Sequence, residues 1–332
     1  MALRVAVIGA GSWGTTVAAI SARNNPTILW ARRKDLADEI AKEHRNSSYL
    51  AGFELPEELD ASADLEEVAG DADVVVMAVP SHGFRDVLVD AAPSIRAWVP
   101  IVSLSKGLEQ GTRLRMTEVV NDVLPGHPAG VLTGPNLAKE VMAGHPAAAV
   151  MAFTDQHIAE GLQPVFHQRG FRVYTNLDIV GCEIAGVVKN VMAIAAGMVD
   201  GMGFGDNTKA TLMTRGLAEL TRLGVALGGD PMTFSGLAGM GDLVATCSSS
   251  QSRNNHVGRE LGKGRPLDEI IAEMNMVAEG VKSSGVVVEL AEAHGVEMPI
   301  AEQVRAVCHE GRTAEDALLA LLSRKPQAEI HD

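Results

Sequence analysis

A chain of 332 residues, 46% hydrophobic and 21% charged, is long enough for two domains with a sizeable core. Its net charge of −14 argues against a nucleic-acid partner and against adhesion to anionic lipid. Its three cysteines, Cys182, Cys247 and Cys308, are far apart, contain no C-x-x-C and leave an odd thiol, so a reducing cytoplasm is expected.

No charged segment followed by an apolar stretch opens the chain, so no signal peptide is expected. Residues 3–8 are a short β-branched apolar run and predict a parallel strand buried on both faces. Gly9-Ala-Gly11-Ser12-Trp13-Gly14 follows at once, and a helix is expected over 15–23. Strand, G-x-G-x-x-G turn and helix in that order form a dinucleotide-binding fingerprint. Gly9 permits the tight turn, Gly11 lets the backbone approach a pyrophosphate, and Gly14 lets the helix pack on the strand.

A second strand at 26–30 ends in Ala31-Arg32-Arg33. An NAD-selective site would carry Asp or Glu here. Two arginines suit a ribose 2′-phosphate, so NADP(H) is favoured with NAD(H) still usable, although a solvated arginine pair fits the same residues. Asp35 reads as a helix N-cap. Further strands are predicted at 73–79, 99–104, 130–133, 147–153 and 171–175, with a helix over 155–168. Lys106 lies just past a strand's C-terminal end, where open parallel sheets bind ligands. The Gly134-Pro135-Asn136 turn precedes a helix near Leu137, and its amides can hold an anionic or polar ligand. For each of these two, a plain loop is the competing reading.

After residue 175 the predicted strands stop. Residues 180–197 form a proline-free stretch of small and aliphatic side chains with one cation, Lys189, at its centre. Gly186, Ala193 and Gly197 fall on or near the face of Lys189 at helical spacing, so a ligand can come close. Burial disfavours the charged form of such a lysine and suits it to proton exchange. The bland alternative is a stem along the core with its head in water. Glu183 points elsewhere on the helix, so Lys189 needs a carboxylate from another segment. Acidic and basic residues within and around the stretch argue against a membrane span. A second long helix is expected over 207–227. Glycines at 236, 239 and 241 surround Asp242 and suggest a tight turn that delivers the missing carboxylate, with a helix cap as the alternative. Ser252-Arg253-Asn254 stands before a helix expected near Val257 and makes an anion site or a solvated loop. Met276-Val277-Ala278-Glu279 is another loop-to-helix junction. Helices are predicted over 284–294, 301–309 and 314–322, and the polar end from 323 is expected to fray.

Together these motifs resemble the NAD(P)-dependent glycerol-3-phosphate dehydrogenases of the bacterial type. The match runs from residue 3 to about residue 310 through Gly9-x-Gly11-Ser12-Trp13-Gly14, Trp30-Ala-Arg32-Arg33 and Ser105-Lys106-Gly107. It continues through Gly134-Pro135-Asn136-x-Ala138, Val188-Lys189-Asn190, Asn207-Thr-Lys209, Gly239-x-Gly241-Asp242, Ser252-Arg253-Asn254 and Val277-Ala278-Glu279-Gly280. The resemblance implies a doubly wound (Rossmann) α/β domain, taken as residues 1–177, followed by an all-helical substrate domain, 178–332. It implies Lys189 as proton donor or acceptor. Substrate contacts would come from Lys106, Gly134, Asn136, Lys189, Asp242, Ser252, Arg253 and Asn254. Cofactor contacts would come from Ser12, Trp13, Arg32, Arg33, Lys106, Ala138, Arg253, Val277 and Glu279, with no metal. A phosphorylated small molecule is the expected partner, without membrane insertion, and the family suggests a homodimer. Two departures stand out. Asn136 replaces a usual Ser or Thr, and Ala51 replaces a common proline beside Tyr49. Competing readings are another Rossmann-plus-helical dehydrogenase, whose proton-transfer signature would differ, and a non-catalytic nucleotide sensor, which would not need Lys189, Asp242 and Arg253.

Overall fold

The computed structural model describes residues 2–274 and 278–325. Eight strands form one sheet: β1 (Val5–Ile8), β2 (Thr27–Trp30), β3 (Leu59–Ser62), β4 (Val74–Met77), β5 (Ile101–Ser103), β6 (Ala129–Thr133), β7 (Ala147–Ala152) and β8 (Phe171–Asn176). Their order across the sheet is β3-β2-β1-β4-β5-β6-β7-β8. The first six are parallel. β7 then runs antiparallel to β6, and β8 pairs parallel with β7. The order reverses direction between β1 and β4, which opens a crevice above their C-terminal ends.

The apolar strand runs follow from burial on both faces. Val5, Val7, Leu29 and Val76 enter one core with Val17 and Ile20 of the Ser12–Ala22 helix. Their neighbours Ala6, Ile8, Trp30 and Met77 enter the other, with Phe84 and Leu88 of the Ser81–Ala91 helix. Successive strand residues point to opposite faces, so a continuous apolar run is what two cores require. β3 has no such run. Its sequence LDAS is only half buried, and it becomes a strand by pairing with β2 in register Thr27↔Leu59.

After β8 the described chain is helical. The Ile179–Gly201 helix is its axis, and every side chain from Gly181 through Val199 is buried. It is long and apolar enough to cross a membrane, but 94% of its most apolar window is buried inside the protein, as a core helix would be. The helices Asp206–Ala226, Arg253–Gly262 and Glu279–Ala293 pack around it. The crossing with Arg253–Gly262 is the closest. A Cβ added at Gly258 would collide with the Ile194 carbonyl, and one at Gly197 with the Asn255 carbonyl. The N-terminus of that second helix is thereby held against the middle of the first. Val131, Val150 and Ala152 of the sheet meet Ile179 and Cys182 of the long helix at the seam between the two regions. The polar end expected to fray falls mostly on residues 326–332, outside the described residues.

Candidate active site

Gly9 adopts φ +120°, where a side chain is strained, and a Cβ there would stand 2.7 Å from the Ala78 carbonyl oxygen of the next strand's loop. A Cβ at Gly14 would collide with the Gly9 carbonyl. The helix starts at Ser12, earlier than expected, with Gly11 at its N-cap. No side chain caps this end and no acidic residue lies in its first turn, so its amides are open to an anion. The space beside Gly11 is clear to 4 Å. Ser12 Oγ donates to the Tyr49 carbonyl at 2.9 Å, and Trp13 Nε1 is buried without a partner among the described residues. At the end of β2, Arg32 and Arg33 are exposed. Arg33 reaches Ser48 Oγ at 2.7 Å and Asp35 at 3.7 Å. Asp35 is not the cap expected of it. Arg33 occupies the cap position and Asp35 lies in the first turn, where its charge favours the helix N-terminus. Ala138 opens the short Ala138–Met142 helix, which packs on Ser12–Ala22. The open helix end, with clear space beside Gly11, would hold the phosphates of a nicotinamide dinucleotide.

Across the cleft, Asp242 is 1% exposed and bridges two ammonium groups. Its Oδ1 lies 2.9 Å from Lys189 Nζ and its Oδ2 2.5 Å from Lys106 Nζ. Lys189 also donates to Thr246 Oγ1 at 2.7 Å, and Lys106 to the Gly134 carbonyl at 2.9 Å. Gly134 adopts φ +127°, which turns that carbonyl toward the lysine. Burial by itself would raise the Asp242 carboxyl. The two cations, Lys106 foremost, outweigh it and hold the group below the usual carboxylate range. Burial pushes Lys106 down to about 8, aided by Lys189 and opposed by Asp242. Asp242 arrives neither by a plain turn nor as a cap. It begins the Asp242–Ser248 helix directly after a π-helical turn at Leu237–Gly241. π-Helical turns of this kind occur often at functional sites.

The third wall is the entrance of the Arg253–Gly262 helix. Ser252 caps it, accepting from the Asn255 amide at 3.2 Å. Asn254 donates to Asn190 Oδ1 at 2.9 Å and accepts from the Gly280 amide at 3.0 Å. Asn190 in turn donates to the Lys106 carbonyl at 3.0 Å. Arg253 keeps solvent access along the cleft. Its surroundings are close enough that desolvation lowers its guanidinium from the usual range, with Glu279 opposing. Glu279 accepts from the Ser81 amide at 3.2 Å, joining the helical region to the sheet. Val277 and Met276 lie outside the described residues. Both polar atoms of the Asn136 side chain are buried without a partner among the described residues. Glu183 does point away from Lys189. It accepts from Arg115 at 2.8 Å and from the Thr117 amide at 3.0 Å. Among the described residues no cluster of His, Cys, Asp or Glu could hold a metal ion.

Two residues of the site, Thr246 and Asn46, escape a sequence reading, and a third, Asn190, enters it only as a motif member without a role. Thr246 stands one helical turn after Asp242, a spacing that shares a face and could have marked it. Asn190 follows Lys189 and ties two walls together. Asn46 is 1% exposed and donates to the Ala10 carbonyl at 3.0 Å, pinning the glycine loop from a distant segment with no local signal.

Comparison with known proteins identifies the family of the chain. Residues 4–159 match the family profile of the NAD-dependent glycerol-3-phosphate dehydrogenase N-terminus, and 178–319 that of its C-terminus. The chain is 59% identical over 331 residues to "Glycerol-3-phosphate dehydrogenase [NAD(P)+] 2" of Sphingopyxis alaskensis, covering 100% of this chain and 99% of the relative. It is 56% identical to the glycerol-3-phosphate dehydrogenase [NAD(P)+] of Mycobacterium avium, over 99% and 96% of the two chains. The crystal structure of the Coxiella burnetii glycerol-3-phosphate dehydrogenase superposes with a TM-score of 0.93 at 39% identity, covering 97% of this chain and 99% of that one. With both halves matched in order and a relative 59% identical over the whole chain, this chain belongs to the NAD-dependent glycerol-3-phosphate dehydrogenase family.

Proposed function

We propose that this chain catalyses the reversible reduction of dihydroxyacetone phosphate to sn-glycerol 3-phosphate with a nicotinamide cofactor, supplying glycerol 3-phosphate for phospholipid synthesis. The observation that carries the reading is the buried Asp242 carboxylate shared by Lys189 and Lys106. The bound nicotinamide would supply the hydride to the ketone carbon. Negative charge then grows on the ketone oxygen, where an unprotonated alkoxide is costly in a dry site, so a proton must arrive with the hydride. An ammonium group has three N–H donors. Lys189 uses two of them on Asp242 and Thr246, which leaves the third for the ketone oxygen. Asp242 aims the Lys189 ammonium, and Lys106 adds positive field at the same oxygen. In the oxidative direction the neutral Lys189 amine accepts the hydroxyl proton.

Arg253 supports a phosphate site at the helix entrance, remote from the reacting carbon, where binding positions the ketone. Arg32 and Arg33 support use of NADPH at least as well as NADH. The three free, buried thiols suit a reducing cytoplasm, and a homodimer is proposed on the family resemblance. The test is the fall in NADPH absorbance when dihydroxyacetone phosphate is added, run in parallel with NADH. No consumption of either cofactor would overturn the reading.

A further inference from the structure

Arg33 does not stand alone at the end of β2. The Gly9 amide donates to the Trp30 carbonyl at 3.1 Å, so the strand's end lies beside the glycine loop, where the adenosine ribose of a dinucleotide sits. Segment 46–50 closes the same ground from the other side, and it is locked there. Asn46 Nδ2 donates to the Ala10 carbonyl at 3.0 Å and to Thr15 Oγ1 at 2.8 Å, while its Oδ1 accepts from the Tyr49 amide at 3.1 Å. The Leu50 amide donates to the Asn46 carbonyl at 2.8 Å, and Leu50 is fully buried. Glu39 accepts from the Ser47 amide at 3.0 Å, and Ser12 Oγ holds the Tyr49 carbonyl at 2.9 Å. Ser48, between those two anchors, is exposed, and its Oγ accepts from Arg33 Nη2 at 2.7 Å. The serine oxygen is thus the acceptor, and its own proton enters no hydrogen bond among the described residues. The guanidinium has five N–H donors and spends one on Ser48. Its other partner among the described residues is Asp35, at 3.7 Å. A fixed hydroxyl with a spare proton and an exposed guanidinium with spare donors stand side by side at the ribose end of the cleft. Together they make a two-armed cradle for a phosphate. Held by Ser48 beforehand, Arg33 also loses less rotamer freedom when an anion binds.

We propose that Ser48 determines cofactor specificity: its hydroxyl aims Arg33 and donates its own proton to the ribose 2′-phosphate of NADPH. This rests on the reading of Arg32 and Arg33 given above and deepens it. NADH carries a 2′-hydroxyl at that point and gains little from either arm. Without the serine oxygen, Asp35 is the remaining described partner of Arg33 and competes with the phosphate for the guanidinium.

The test is binding without turnover. Adenosine 2′,5′-bisphosphate and 5′-AMP differ only in the 2′-phosphate. Each is titrated by calorimetry into the native protein, Ser48→Ala and Ser48→Thr. The native protein should bind the bisphosphate more tightly. Ser48→Ala should cut that preference about three- to tenfold, by weakening the bisphosphate. Ser48→Thr keeps a hydroxyl and should restore it. In turnover, the ratio of kcat/KM for NADPH over NADH should fall by a similar factor in Ser48→Ala, through KM for NADPH. Ser48 is exposed, so the melting temperature should stay near native, which separates lost recognition from lost fold. A folded Ser48→Ala that keeps the native preference overturns the assignment of Ser48 and leaves Arg32 and Arg33 in their role. A threonine variant that behaves like alanine also overturns it, because the hydroxyl is then not the feature that matters. A native protein that binds the two nucleotides equally overturns both Ser48 and the arginine pair.

Discussion

Replacing Asp242 with asparagine tests the electrostatic core of the site. The substitution keeps the shape and removes the one negative charge between Lys106 and Lys189. At about 3 Å and an effective dielectric of about 20, each lysine–aspartate attraction is on the order of 5 kcal/mol. Desolvation of the three groups offsets much of this, and removing one partner of a buried pair costs about 3–5 kcal/mol net. The amide has one oxygen to accept from one ammonium, and its NH₂ faces the other. Lys106 already sits at about 8 with Asp242 in place, and without it should fall further. Asp242→Asn should therefore unfold at lower denaturant concentration at pH 7, with kcat/KM lower by about 10²-fold or more from misplaced amines.

The sign of its pH dependence follows from proton counts. With folded-state Lys106 depressed below its unfolded value of 10.5, the unfolded chain binds more protons between the two values. Stability then rises with pH across that window. The native protein should gain stability between about pH 8 and 10.5 through Lys106, and the variant over a wider range that begins lower. The deficit of the variant should thus be largest near neutral pH and shrink as the medium becomes alkaline. Urea unfolding of both proteins from pH 7 to 10 measures it. A deficit that is absent, or constant with pH, would falsify the bridging role of Asp242.

Lys189→Met keeps the buried stem and should lower kcat about 10²–10⁴-fold, while NADPH binding by fluorescence stays near native; a variant turning over at the native rate rules out Lys189 as the proton donor. Arg253→Ala should erode discrimination against unphosphorylated dihydroxyacetone, read as the kcat/KM ratio of the two ketones, and an unchanged ratio removes it from phosphate recognition. The double change of Arg32 and Arg33 to alanine should raise KM for NADPH much more than for NADH, because only the first carries the 2′-phosphate; equal effects would refute that role.

Much of this protein is legible in its sequence because the signals are local. The run of residues 3–8 followed by Gly9, Gly11 and Gly14 encodes a strand, a turn and a helix through backbone sterics alone. Double burial makes the central strands read as unbroken apolar runs. A lone lysine among small residues at 180–197 stands out for the same reason: a charge there needs a partner. What that partner is, and how it is held, depends on distant segments. β3 has no strand pattern of its own and forms because β2 offers it an edge. The reversal at β7 leaves no mark in alternation, since both orientations bury the same side chains. Asp242, 53 positions after Lys189, meets it only because a π-helical turn and the packing around the long helix bring the two together. The buried Thr133 hydroxyl is likewise a tertiary fact: a threonine ending a strand says nothing of its surroundings until the fold leaves its oxygen without a hydrogen-bond partner among the described residues. Dihedral preference and burial period act over a few residues and can be read along the chain, whereas the pairing of buried charges is decided where the segments meet.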